Sequence, residues 1–129
     1  MIINKLELSN FRNYEFSEFE FDEKTNILFG DNAQGKTNVL EAIYVAGTTK
    51  SHKSSKDREM IRMGTKEAHI KMYVTKKEIS HRIDIHLKKS GSKGVAIDGV
   101  PTRKSSDLIG LCNIIFFSPE DLNLSLIHI

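Results

Sequence analysis

The sequence predicts an α/β fold in which antiparallel strands pack around one well-formed helix. Three observations carry this reading. Apolar side chains alternate over residues 2–8, a glycine-rich turn joins an apolar run ending at Phe29 to a helical pattern over 36–47, and two further alternations face each other across residues 70–87.

Taken in order, Ile2, Asn4, Leu6 and Leu8 share one side of an extended chain and Ile3, Lys5 and Glu7 the other, which predicts a strand over 2–8. A second alternation has Tyr14 and Phe16 in one parity and Phe19 and Phe21 in the other, so a β-bulge or bend is expected at Ser17-Glu18. Thr25 to Phe29 is a short apolar run ending at a glycine and reads as a buried strand. Helix formers follow from Lys36 to Gly47, with Val39, Ile43 and Ala46 at helical spacing, Leu40 widening that face and Gly47 as the stop. Residues 48–55 are polar and aperiodic and read as a loop, and Asp57 to Met63 as a short helix. Ile70-Met72-Val74 and Ile79 to Leu87 form a hairpin about Thr75–Glu78, and Asp98-Gly99 marks another turn after Val95 and Ile97. Ser105 or Ser106 caps a short helix ending near Gly110, and Cys112 to Phe117 reads as a buried strand.

A chain of 129 residues with 39% hydrophobic and 28% charged residues has the size and composition of one globular domain, not of a fibrous repeat or a disordered tail. Its single cysteine, Cys112, has no internal disulfide partner and lies beside an apolar run, so a buried thiol in a reducing compartment is expected. The polar interruptions of the first seven residues break a signal-peptide core, and no apolar stretch approaches the ~20 residues that span a bilayer. A soluble, cytoplasmic protein is therefore expected. The net charge of +2 conceals an asymmetry: residues 1–49 carry −4, residues 50–104 carry +9 and residues 105–129 carry −3. A basic middle segment of this kind fits a polyanionic partner as well as a solvated face.

Gly30-Asp31-Asn32-Ala33-Gln34-Gly35-Lys36-Thr37 fits G-x-x-x-x-G-K-[ST] without a mismatch, and a chance match in a chain of this length has a probability of roughly 0.005. The strand before it and the helix after it supply the context a P-loop requires. Glycines at 30 and 35 open backbone conformations closed to other residues and keep side chains away from phosphate. Loop amides and the helix N-terminus then converge on the β-phosphate, Lys36 reaches the β- and γ-phosphates, and the Thr37 hydroxyl ligates Mg²⁺. ATP and Mg²⁺ are the expected cofactors. Other P-loop classes fit less well. The one Asn-Lys pair, Asn4-Lys5, precedes the loop, so a GTPase base-recognition motif is missing, and a nucleotide kinase lid would need more than the two arginines between the helix and residue 66.

Three segments together carry a resemblance: Leu8-Ser9-Asn10-Phe11-Arg12-Asn13-Tyr14, the loop with Asn38-Val39-Leu40-Glu41-Ala42-Ile43 after it, and Phe116-Phe117-Ser118-Pro119-Glu120-Asp121-Leu122. Over residues 1–124 the chain resembles the N-terminus of the RecF family, DNA replication and repair ATPases of the ABC-type, SMC-like group. The resemblance implies the N-terminal lobe of an ABC-type ATPase head that spans residues 1–129, with antiparallel strands around the P-loop helix. It also implies ATP bound between the subunits of a head-to-tail homodimer, association with gapped or single-stranded DNA, and loading of RecA with RecO and RecR in recombinational repair and the SOS response. Arg12 matches an N-terminal arginine near the nucleotide, and Glu120 or Asp121 falls where related ATPases turn toward the γ-phosphate and magnesium.

The departures are informative too. No apolar strand ends in paired acids, so the Walker B pair and the signature motif are absent, no residue of the segment is assigned as catalytic, and turnover by the segment alone is not expected. Residues 124–129 are apolar where the family continues with basic residues, which reads as a truncated or artefactual end. An SMC-like structural head and, less well, a small-molecule kinase are the alternatives.

Five histidines form no zinc spacing, since His81 and His86 fall on opposite faces of a strand, and His81 reads as a satisfied core histidine. Lys50, Lys53, Lys56, Arg58, Lys88, Lys89, Lys93, Arg103 and Lys104 sit in predicted loops and hairpin ends, with Tyr73 the one aromatic of the basic segment. That favours sequence-independent backbone contact with a duplex or junction over base stacking, with Lys88, Lys89 and Lys93 as the candidate DNA contacts.

Overall fold

The computed structural model describes residues 2–21, 26–29, 33–51, 55–104, 107, 111, 115–116 and 124–128, and for 26–29, 33–37, 115–116 and 124–128 it gives the course of the backbone. The elements are β1 (Ile2–Phe11), β2 (Tyr14–Glu20), β3 (Asn26–Phe29), α1 (Ala33–Thr48), α2 (Asp57–Met60), β4 (Glu67–Lys76), β5 (Ile79–Lys88), β6 (Gly94–Ile97), β7 (Val100–Pro101), β8 (Ile115–Phe116) and β9 (Leu124–His128). They form a six-stranded sheet in the order β2-β1-β4-β5-β6-β7 and a three-stranded sheet in the order β3-β9-β8, with every pairing antiparallel.

Alternation decides which face of the large sheet is buried. Ala68, Ile70, Met72 and Val74 of β4 and Ile83, Ile85 and Leu87 of β5 point inward, beside Leu6 and Leu8 of β1, and α1 packs on that face against β4 and β5. Val39, Leu40, Ile43 and Ala46 of α1 are buried as the helical spacing predicts, but so are Ala42 and Val45. The helix is therefore covered nearly all round, and the polar residues that it buries need partners.

The turn between β4 and β5 closes without the glycine that a tight turn usually requires. Lys77 and Glu78 both take positive φ, 51° and 65°, which is the type I′ pattern matched to strand twist. At the next turn Asp98 (φ 53°) precedes Gly99 (φ 82°), as the Asp-Gly pair predicts.

Two local expectations are corrected. No bulge interrupts β2: Leu8 pairs with Ser17, Glu7 with Glu18 and Leu6 with Phe19 in unbroken register. The parity slip arises because β2 is an edge strand that leaves Phe16 58% exposed while Phe19 turns toward the core; the register shift in this sheet lies between Ile3 and Lys5 of β1. Nor does Gly47 stop α1, for it is buried inside the helix, which runs to Thr48. Thr49 takes φ 71° and donates its N–H to the Val45 carbonyl at 2.8 Å, while the Thr48 hydroxyl donates to the Tyr44 carbonyl at 2.7 Å. The capped helix over 105–110 and most of the strand over 112–117 lie outside the described residues. Leu124–His128 runs as β9 between β3 and β8.

The outer face of the hairpin carries a histidine pair that strand spacing alone did not reveal. His69 of β4 is directly opposite His86 of β5, their rings stack with centroids 4.2 Å apart, and His86 Nε2 lies 2.9 Å from Glu67 Oε1. His69 is held below the usual histidine pKa, first by partial burial and then by the neighbouring His86, with Lys71 adding to the effect and Glu67 and Asp84 opposing it. Because the folded state resists the proton, the unfolded chain takes it up first as pH falls below about 6.5, so His69 stabilises the fold above that pH and ceases to below it. Thermal unfolding between pH 7.5 and 5.5 is expected to show a falling midpoint whose slope flattens in His69→Gln; an unchanged slope would remove His69 as its source. His81 is satisfied, as expected, with Nδ1 2.6 Å from Asp98 Oδ2, a contact that holds the Asp98 carboxyl below its usual pKa.

Candidate functional site

The glycine-rich motif lies between a strand and a helix. β3 ends at Phe29 and α1 begins at Ala33, so the motif bridges strand and helix, and Gly35, Lys36 and Thr37 lie in the first turn and a half of α1. Gly30, Asp31 and Asn32 lie outside the described residues, and Ala33, Gln34, Gly35, Lys36 and Thr37 are placed by backbone. No acidic residue occupies the first turn of α1, so nothing in the sequence there offsets the positive end of the helix dipole, and the arrangement fits a polyphosphate with its metal ion. Thr37 is the residue that would hold Mg²⁺; Glu120 and Asp121 lie outside the described residues.

Immediately after the loop, two side chains of α1 at i, i+3 spacing meet the turn between β1 and β2. Asn38 Nδ2 donates to Asn13 Oδ1 at 3.0 Å. Glu41, with none of its side chain exposed, accepts from Arg12 Nε at 2.7 Å and from Nη2 at 2.9 Å in a bidentate pair. The Ser51 hydroxyl donates to the same carboxylate at 2.5 Å. Arg12 reaches further, from Nη2 to Ser55 Oγ at 2.9 Å and from Nη1 to the Glu59 carbonyl at 3.0 Å. Its hydrogen bonds to Glu41 raise the Arg12 pKa above its already high value.

The backbone reinforces this junction. Arg12 N–H donates to the Met60 carbonyl at 2.8 Å and Arg62 N–H to the Asn10 carbonyl at 2.7 Å, with Phe11 bridged to Ile61. Asn10 and Arg12 both take positive φ, 52° and 53°, on either side of the buried Phe11. A non-glycine residue in that region costs on the order of 1 kcal/mol and persists where contacts hold it. Arg12 is thus placed beside the P-loop helix, against Glu41 of that helix.

Glu41, Ser51, Ser55 and the Asn13–Asn38 pair were not singled out by the residue-level reading. Their signal is Glu41 itself, a charge within a run of apolar residues on a helix covered nearly all round, which must find a cation.

The candidate DNA contacts separate into two kinds. Lys93 Nζ donates to the Thr49 carbonyl at the end of α1 at 2.5 Å and pairs with Asp57 Oδ1 at 3.0 Å, so it joins the hairpin loop to α1 and α2. Lys88 ends β5 and Lys89 follows it, with its N–H on the Lys66 carbonyl at 3.0 Å. Near Lys93 a cavity of about 610 Å³ is lined by Thr49, Ser92, Lys93, Val95, Thr102, Arg103 and Lys104, which brings three cations together beside Thr49 at the C-terminal end of α1.

Comparison with known proteins agrees with this architecture. The family model for the RecF/RecN/SMC N-terminal domain matches residues 2–123. The chain belongs to that family. It is 62% identical over 124 residues to the DNA replication and repair protein RecF of Agathobacter rectalis and 60% identical to that of Lachnoclostridium phytofermentans, in each case over 96% of this chain and 34% of the relative. The chain therefore spans about a third of the length of the curated relatives it matches. Among solved structures, the recombination mediator RecF with ATP matches at a TM-score of 0.82 and 28% identity over 92% of this chain and 33% of that one. An SMC ATPase matches at 0.72 and 22% identity, covering 85% of this chain and 76% of that one, a likeness of fold. The fold is the N-terminal part of a P-loop, ABC-type ATPase head. Among the described residues no helix is long and apolar enough to cross a membrane.

Proposed function

We propose that the intact protein is a RecF-type DNA replication and repair ATPase and that this lobe supplies the P-loop side of an ATP site completed by a second subunit. The observation that carries the reading is the mismatch-free P-loop between β3 and α1 in a chain 60–62% identical to RecF sequences. Bound Mg²⁺ would neutralise charge on the β- and γ-phosphates, with Thr37 as its ligand. Lys36 binds the same phosphates, and the helix N-terminus and loop amides orient them. Water activation falls to acids outside this segment, and Glu120 or Asp121 is the nearest candidate for a γ-phosphate contact. ATP-dependent dimerisation, association with gapped or single-stranded DNA, and RecA loading with RecO and RecR in the SOS response complete the reading, in the cytoplasm. An SMC-like structural head shares the fold, but identity to those heads is 21–22%, which favours the RecF-type role.

Two measurements test this. ATP is expected to tighten binding of the intact protein to gapped DNA relative to ADP, and equal affinity would count against it. The 129-residue segment by itself is expected to show no ATPase activity above background because it lacks the paired acids; turnover would mean that the catalytic groups lie here.

The structure also sharpens the DNA test. Reversing Lys93 would break its ion pair with Asp57 and its bond to the α1 end, which confounds binding with folding. Lys88→Glu/Lys89→Glu is the cleaner variant. If both lysines meet phosphates, the slope of log affinity against log salt on duplex DNA falls by about 2. An unaltered slope returns these lysines to the solvated surface.

A further inference from the structure

A polar path leads from the P-loop helix to the basic cavity near Lys93. It starts at Glu41, one turn beyond Thr37 and so about 6 Å along the α1 axis. The next link is Arg12, which Glu41 holds at both ends of its carboxylate. From Arg12 it enters the segment 55–62 at Ser55 Oγ and the Glu59 carbonyl, with the backbone bonds of Arg12 and Arg62 to Met60 and Asn10 alongside. Within that segment α2 carries Asp57, whose carboxylate pairs with Lys93 beside the basic cavity. The contacts at either end of segment 55–62 are charge-assisted hydrogen bonds of 3.0 Å or less, joined through the backbone of the segment itself, and charged bonds of this kind are stronger and more directional than neutral ones.

We infer that Glu41 is a positioning residue that, through Arg12 and α2, couples the P-loop helix to Lys93 and the segment 90–95 around it. The inference rests on the reading of the loop as an ATP site. Its support is that this pairing is a costly way to stabilise a fold. Burying a carboxylate and part of a guanidinium gains little over apolar packing. What the arrangement does supply is a tie: Arg12, in the turn between β1 and β2 and held by Glu41, fastens segment 55–62 to α1, so that a shift of the P-loop helix would be passed on to that segment. Coupling between distant sites is carried by links of this kind.

Hydrogen exchange on the intact protein with and without a non-hydrolysed ATP analogue tests the coupling. In the wild type, nucleotide is expected to slow exchange in segment 57–62 and in 90–95. Glu41→Gln, compared with the wild type with both saturated by the analogue, is expected to lose both distal responses. Asp57→Asn is expected to keep the response in 57–62 and lose it in 90–95. Distal responses that survive both substitutions overturn the inference. Should Glu41→Gln fail to fold, Asp57→Asn decides: a retained response in 90–95 overturns the coupling, and its selective loss supports it. A wild type that binds nucleotide without any distal response overturns the inference alone, whereas one that binds no nucleotide overturns the ATP reading and the inference with it.

Discussion

Lys36→Ala is expected to weaken ATP binding by the intact protein by about 10²-fold, measured by titration with a fluorescent ATP analogue. Hydrogen bonds to a charged partner contribute about 1.5–3 kcal/mol each, and the P-loop lysine meets two phosphates at once. The helix dipole and the loop amides remain in the variant, so residual binding should be weak and lose its preference for the γ-phosphate, leaving ATP and ADP nearly equal. Because residue 36 lies in the first turn of α1 and alanine is a good helix former, the variant should fold with an unchanged melting midpoint. Affinity equal to wild type would remove the P-loop from the function altogether.

The secondary structure was legible in the sequence where burial on one face imposed a period. The alternations at 2–8, 70–74 and 79–87 became β1, β4 and β5, each somewhat longer than its apolar core because flanking polar residues extend the same ladders. The P-loop context was legible for a different reason: its chemistry fixes both glycine positions and the strand and helix around them. Periodicity misled at β2, where an edge strand need not bury every aromatic and Phe16 stands exposed. It also missed pairs created by register, such as His69 opposite His86, which are 17 residues apart and adjacent only once the hairpin closes.

The junction around Arg12 shows the same limit more sharply. Motif comparison picked out Arg12, and a nearby nucleotide was the role it implied. What no local pattern contained was its partner, 29 residues away on the P-loop helix, or the hydroxyls of Ser51 and Ser55 that complete the site. Lys93 is similar. As part of a basic run it read as a DNA contact, yet its nearest partners are Asp57 and the end of α1. Charge counts find the surface a polyanion would meet, but not which of its lysines hold the fold together.

The largest effect on stability should follow from Arg12→Ala. Removing the guanidinium takes both bidentate hydrogen bonds from the buried Glu41 carboxylate, and breaking a buried ion pair by removing one partner costs about 3–5 kcal/mol. For a domain with total stability on the order of 5–15 kcal/mol, that is enough to lower the urea midpoint by a large fraction. Two companion variants separate the causes. Arg12→Gly relieves the positive φ of residue 12 but breaks the same ion pair, so it should recover only about 1 kcal/mol relative to alanine. Arg12→Ala/Glu41→Leu removes the buried carboxylate together with its partner and should recover most of the loss, because a pair replaced by apolar groups is often close to neutral. If the double variant is as unstable as Arg12→Ala, the deficit comes from the lost anchoring of segment 55–62 through Ser55 and the Glu59 carbonyl, and the junction is held from the α2 side instead of by Glu41.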